Sequence, residues 1–313
     1  MTVIRTTRAL IAGAAIAVAG TALAVAAPAT AAPQHAAAST PVTKGSYYLA
    51  LGDSVPFGYR EATSTPTPNY QDASTFQGYP EIVGQDLGLK VANAACPGET
   101  SSSFVHVTAQ SNGCEANSAG VAQAGYRTNY PLHESYKASQ LVYAKHFLTT
   151  HKNTKLVTLM VGANDGFICQ ASTTDQCTSL SEIGAVVQKI EKNVAQIIKA
   201  VRGTGYSGQI VIVNYYSTDY TNTTNGGAQQ AGATAINNGL DQGAWPSGSG
   251  NPNDVTIAST YKAFQSAAAQ TSGDDCTAGL LTILTGDTTP CGVHPSVAGQ
   301  NIIANSVVQA IKK

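Results

Sequence analysis

The sequence is poor in charge. Only 11% of its 313 residues are Asp, Glu, Lys or Arg, and the formal net charge is −1. Nucleic acids and anionic membrane surfaces call for clustered Lys and Arg, so a nucleic-acid partner is not expected. Beyond the first 27 residues no apolar run is long enough to span a bilayer, which argues against integral membrane association. No Cys-x-x-Cys occurs, and no pair of His sits at ligand spacing with a third ligand near it. A metal centre is therefore not indicated. Gly-x-x-x-x-Gly-Lys and His-Glu-x-x-His are also missing, which removes P-loop and zincin chemistry. No Ser has Gly at both −2 and +2, so the nucleophile elbow of the α/β-hydrolases is missing too.

What is present begins at the N-terminus. Arg5 and Arg8 precede an Ala-rich apolar run over residues 9–27, followed by Ala29-Thr30-Ala31. That is the order of a secretory signal: basic region, apolar region, small-x-small cleavage site. A membrane anchor is the competing reading, but no stop-transfer charges follow. We expect a signal peptide at 1–31, a disordered leader at 32–43, a catalytic domain at 44–313, and a secreted, extracellular protein. The chain has six Cys. An even number in an exported chain implies disulfides, although six allow about 15 pairings. They fall into sequence-local pairs: Cys96 with Cys114, Cys169 with Cys177, and Cys276 with Cys291.

Most strand-like segments are continuous apolar or β-branched runs: 46–51, 91–95, 155–161, 209–215 and 280–284. Such runs suit strands buried on both faces, hence a parallel sheet. Helical patterns alternate with them at 76–87, 135–149, 181–201 and 258–270, and from Pro295 to the C-terminus. Segment 181–201 has the clearest stripe, from Ile183 through Ile190 and Val194 to Val201, and it ends before Gly203. The alternation predicts a three-layer α/β/α, doubly wound, flavodoxin-like domain with a five-stranded parallel sheet. Residues 99–133 and 218–253 fit neither pattern and read as long loops around a site.

Sites in open doubly wound sheets lie at the carboxyl ends of the strands. The first expected strand ends in Gly52-Asp53-Ser54 and the second in Cys96-Pro97-Gly98. The third ends in Gly162-Ala163-Asn164-Asp165, and after the last comes Gly292-Val293-His294-Pro295. A hydroxyl, a flexible backbone N–H, a side-chain amide and an imidazole thus converge on one edge. Acyl transfer needs that set.

These blocks, in this order, resemble those of the SGNH hydrolase superfamily within the GDSL esterases and lipases. Ala95-Cys-Pro-Gly-Glu-Thr100, Gly162-Ala-Asn-Asp-Gly166 and Val293-His-Pro-Ser296 are most similar to secreted actinobacterial members. The resemblance spans nearly all of the chain after the leader and implies a single SGNH hydrolase domain. It implies Ser54 as nucleophile and His294 as base. The N–H groups of Ser54 and Gly98 and the side chain of Asn164 would form the oxyanion hole. No cofactor or metal is implied.

One departure stands out. Many members carry an Asp three residues before the catalytic His, and here that position is Cys291. The expectation is a dyad, with the Cys291 backbone carbonyl holding the imidazole, and Asp287 as the alternative acid. Simpler readings exist for single residues. Asn164-Asp165-Gly166 is also a turn signal, and His106 and His133 are rival bases in the first long loop. The aromatics after the nucleophile (Phe57, Tyr59, Tyr70, Phe76 and Tyr79) read as core packing or as an acyl groove. The leading functional expectation is a monomeric extracellular carboxylester hydrolase acting on lipid or small-molecule esters. A carbohydrate acetyl esterase and a catalytically silent binding protein are the alternatives.

Overall fold

In the computed structural model the apolar runs form strands covered on both faces. The structure describes residues 40–312, apart from 117–124, 246–250, 252–253 and 287–289. The expected signal peptide, most of the expected leader, and Asp287 lie outside the described residues. Strands β1 (Tyr47–Gly52), β2 (Lys90–Asn93), β3 (Thr154–Met160), β4 (Gln209–Val213) and β5 (Val255–Ala258) make one parallel sheet in the order β2-β1-β3-β4-β5. Every residue of β4 is buried, which is why its sequence shows no alternation. The described end of the leader, residues 40–43, has no regular structure. The Thr40 N–H nonetheless donates to Ser207 O, and Val42 packs on the core.

The helices are α1 (Ser54–Phe57), α2 (Tyr79–Leu87), α3 (Ser101–Val105), α4 (Tyr126–Asn129), α5 (Gln140–Thr150), α6 (Ala163–Ser172), α7 (Leu180–Arg202), α8 (Thr224–Ala244), α9 (Thr260–Ala267) and α10 (Val297–Ala310). They form two layers: α10 packs on α2 and α9, whereas α7 packs on α3, α5, α6 and α8. The stripe expected on α7 is the buried one, including Val186, Ile190, Val194, Ile197, Ile198 and Val201. Ser179 caps its first turn, while Lys199 and Arg202 sit in its last turn, where cations suit the terminal carbonyls. No helix among the described residues is long and apolar enough to cross a membrane.

Two expectations need correction. The fifth parallel strand is β5, not 280–284. That later run instead forms β6 (Leu281–Ile283), which pairs antiparallel with β7 (Cys291–Pro295) outside the main sheet. With only four residues, β5 carries too little pattern to stand out beside a Gly- and Asn-rich stretch. The second correction concerns 218–253, which contains the 21-residue helix α8. Its many Gly disguise it, because Gly is a poor helix former. At two of them the use is tertiary. A Cβ on Gly243 would lie 2.7 Å from Glu191 O, and one on Gly239 would lie 2.9 Å from Ile190 Cβ, so α8 and α7 meet nearly backbone to backbone.

Disulfides join Cys96 to Cys114, Cys169 to Cys177 and Cys276 to Cys291, and no described Cys is free. This is the sequence-local pairing, and it suits an oxidising environment.

Candidate active site

The Gly-Asp-Ser turn follows from sterics and capping. Gly52 has φ +142°, and a Cβ there would sit 2.0 Å from Met160 O, so only Gly fits where β1 runs against β3. Asp53 then caps α1, its Oδ1 accepting from Val55 N at 3.1 Å. Ser54 becomes the first residue of α1, at the carboxyl end of the interior strand β1. Asp53 itself is buried and bonded to the Tyr215 hydroxyl. Burial raises its carboxyl to about 6, against the opposing pull of Tyr215 and Val55.

His294 lies on β7, and its Nε2 is 2.9 Å from Ser54 Oγ. Its Nδ1 is 2.7 Å from Glu61 Oε1. This overturns the expectation that the Cys291 carbonyl, or Asp287, orients the ring. The carboxylate comes instead from the loop after α1. That loop is sewn to β6 by the bond from Thr65 N to Ile283 O and by a bridge between Ser64 and Leu284. Glu61 Oε1 also accepts from Val293 N at 3.1 Å, and Oε2 accepts from Thr282 Oγ1 at 2.6 Å. Burial opposes ionisation of Glu61, but the bonds and charge of His294, with Thr282, outweigh it and hold the carboxyl down at about 2. Gly292 makes room for the approach: a Cβ there would lie 2.2 Å from Glu61 Oε1.

Gly98 and Asn164, expected with Ser54 N as oxyanion donors, line the same cleft as Ser54. Among the described residues, neither Ser54 N nor Gly98 N donates to a protein acceptor. Gly98 has φ +82°, and its Cβ would strike Asn112 O at 2.6 Å. Asn164, in the first turn of α6, donates from Nδ2 to Glu99 O at 3.0 Å. The same Nδ2 lies 3.4 Å from Asp53 Oδ2, beyond the usual range for such a bond. Asp165 is spent elsewhere, accepting from Ser101 N and Ser101 Oγ. The side chain of Glu99 is buried, and its carboxyl is pushed up to about 8 chiefly by that burial.

Ser54 and His294 open onto two clefts. One, of about 300 Å³, includes Tyr59, Gly98, Asn112, Tyr126 and Asn164 in its lining. The other, of about 340 Å³, runs under α8 and is lined by Val55, Tyr216, Ala228, Ala233 and Ile236 among others. Phe167 and Val293 border both clefts, and both are partly exposed. Of the aromatics after the nucleophile, only Tyr59 faces a cleft. Phe57 and Phe76 are buried together with Tyr126, and Tyr79 belongs to the main core. His133 approaches the Phe57 carbonyl, and exposed His106 ends α3. Neither borders a cleft. Glu99 lies near Cys96 and Cys114, and Glu182 near Cys169 and Cys177. Those sulfurs are tied up in disulfides and are not free to bind a metal.

Residues 50–302 match the model of the GDSL-like lipase/acylhydrolase family. The chain belongs to that family. A search of the curated proteins found no match. Among solved structures, this GDSL hydrolase is similar to phospholipase A1 from Streptomyces albidoflavus NA297, at 17% identity and a TM-score of 0.53, over 86% of this chain and 100% of that one. It is also similar to Axe2, an acetylxylan esterase from Geobacillus stearothermophilus, at 14% identity and a TM-score of 0.47, over 88% and 97% of the two chains. Likeness at these identities concerns the fold alone.

Two residues of the site, Glu61 and Asn112, carry no signal in the sequence. Glu61 lies between Tyr59 and Tyr70 in the aromatic stretch after the nucleophile, 233 positions from His294. Asn112 sits in a polar stretch with many equivalent-looking neighbours.

Proposed function

We propose that this family member hydrolyses carboxylic esters through an acyl-enzyme on Ser54, with Glu61, His294 and Ser54 acting as a relay. The observation that carries the reading is the unbroken chain of contacts from Glu61 Oε1 to His294 Nδ1, at 2.7 Å, and from His294 Nε2 to Ser54 Oγ, at 2.9 Å. His294 Nε2 takes the Ser54 proton as Oγ attacks the ester carbonyl. The ionised Glu61 fixes the tautomer and steadies the imidazolium that forms. Ser54 N, Gly98 N and Asn164 Nδ2 receive the oxyanion. His294 then protonates the departing alcohol. Water repeats the sequence on the acyl-enzyme, releasing the acid and restoring Ser54.

The substrate reading is a neutral lipid or small-molecule ester. Among the described residues, neither cleft has a Lys or Arg in its lining to hold an anionic group, and the cleft under α8 has an apolar floor suited to an acyl chain. Acetylated polysaccharide is the second reading, favoured by the uncharged amides and hydroxyls of Gln170, Gln176, Thr178, Asn225 and Gln229 around that same cleft. Export through a signal peptide at 1–31 and action as an extracellular monomer complete the proposal. They are supported by the disulfides and by the order of residues at the N-terminus.

The test is hydrolysis of p-nitrophenyl esters from acetate to palmitate, beside a Ser54→Ala control. Activity that disappears in the control is expected, and activity that survives there overturns the reading. A profile confined to acetate, with turnover of acetylated glycans, would favour the second substrate class.

A further inference from the structure

Asn112 touches two of the expected oxyanion donors, Gly98 and Asn164. Its backbone N–H donates to Gly98 O at 2.8 Å, and its side-chain Nδ2 donates to Asn164 Oδ1, also at 2.8 Å. Gly98 and Asn164 follow different strands, β2 and β3, and no covalent path of reasonable length fixes one against the other. Asn112 comes from a third place, the segment between α3 and α4, and bridges them.

The consequence for Asn164 is an orientation. Its amide hangs on a terminal torsion with broad, roughly two-fold preferences, so packing alone does not decide which end faces Ser54. The Glu99 carbonyl can only accept, and it faces Nδ2 at 3.0 Å. Oδ1 is thereby turned to the other side, where Asn112 Nδ2 supplies the donor it needs. Removing that donor leaves a buried amide oxygen without its partner and frees the amide to turn away. The consequence for Gly98 is a peptide orientation. The bond from Asn112 N holds the Gly98 carbonyl, and the close approach of residues 112–113 is open only to Gly at position 98.

Asn112 is itself well anchored. The Cys96–Cys114 disulfide closes the stretch that holds Gly98 at one end and Asn112 at the other. One residue past Asn112, Gly113 O accepts from Tyr126 N at 2.7 Å, where α4 begins. We propose that Asn112 is a positioning residue of the oxyanion hole, acting on the reaction through Gly98 and Asn164. The proposal rests on the reading of Ser54 as an ester-hydrolase nucleophile.

The experiment compares the full chain with Asn112→Ala and Asn112→Leu, the second matching Asn in size but lacking the donor. Measured are kcat and KM on p-nitrophenyl butyrate, the inhibition constant of butylboronic acid as a tetrahedral mimic, and Tm. The expected loss is about tenfold to a hundredfold in kcat, smaller than deleting an oxyanion donor outright, with KM within about threefold. Boronate inhibition should weaken in step with kcat/KM, as required of a group that serves the transition state. A purely structural role would lower Tm without that parallel. The proposal is overturned if both variants keep kcat, or if the loss falls on KM, or if boronate binding is unchanged. Should Asn112→Ala not fold, Asn112→Leu carries the same measurements. Ester hydrolysis missing from the wild type, or surviving in Ser54→Ala, would instead overturn the underlying reading, and it shows without any Asn112 variant.

Discussion

Glu61 Oε1 lies 2.7 Å from His294 Nδ1 although 233 positions separate the two residues in the chain. In the proposed mechanism the contact completes a triad, where the local sequence around His294 offers only Cys291 in the position of the usual acid. The acid has been supplied from the nucleophile's side of the fold. Glu61→Gln should therefore cut kcat by at least about a hundredfold, since an amide at this position favours the wrong imidazole tautomer. Asp287→Asn should leave kcat nearly unchanged, because Nδ1 already has its partner. Steady-state kinetics on one ester, with circular dichroism to check folding, decides between the two acids.

Gly292 gives a subtler version of the same test. A methyl group there would sit 2.2 Å from Glu61 Oε1. Gly292→Ala is expected to push Glu61 off His294 and lower kcat about tenfold or more, with a fall in Tm no larger than that of Glu61→Gln. A silent substitution would mean that the loop carrying Glu61 yields easily.

Stability should depend on pH in opposite directions at two carboxyls. The Glu61 carboxyl is held at about 2 in the fold, below its ordinary 4.5. Its contribution is present above about 4.5 and is lost as pH falls toward 2. Glu99 is pushed up to about 8 by burial. Its neutral form favours the fold below the ordinary 4.5, and that contribution drains away as pH rises through about 8. The Tm difference between wild type and Glu61→Gln should therefore shrink between pH 5 and 2. The decline of wild-type Tm between pH 5 and 8 should flatten in Glu99→Gln.

The glycines of α8 should split by environment. A Cβ at Gly232 meets nothing within 4 Å, so Gly232→Ala should stabilise by about 0.5–1 kcal/mol through helix propensity. A Cβ at Gly243 would lie 2.7 Å from both Glu191 O and Val194 Cβ. Gly243→Ala should destabilise by about 1–3 kcal/mol through overpacking against α7. Chemical denaturation of the two variants tests the pair, and equal effects would contradict the close helix contact.

Breaking the Cys276–Cys291 bridge should act on both stability and rate. The bond closes a separation of 15 residues, for which chain entropy gives about 3 kcal/mol. Cys291 also begins the strand that carries His294. Cys276→Ser with Cys291→Ser should lower stability by about that amount and reduce kcat at temperatures where the variant remains folded.

The sequence by itself determined the layered α/β architecture, the nucleophile turn and the order in which Ser54, Gly98, Asn164 and His294 reach one edge. Those features are local: strand burial shows as continuous apolar runs, and the turns need Gly where φ is positive or another backbone passes close. Only the tertiary structure decided the carboxyl partner of His294, the fifth strand, the long helix and the contacts that Asn112 makes with Gly98 and Asn164. Glu61 is a lone acidic residue in a loop, and it matters because cross-links between residues 63–65 and 283–285 bring that loop to His294. β5 is too short to show a period, and α8 is rich in the residue that ordinarily argues against a helix. Gly239 and Gly243 make sense only against Ile190 and Val194 of α7. Asn112 looks like any polar loop residue until Gly98 and Asn164 stand on either side of it. Each of these depends on a contact between distant parts of the chain, and such contacts leave no periodicity in the residues that make them.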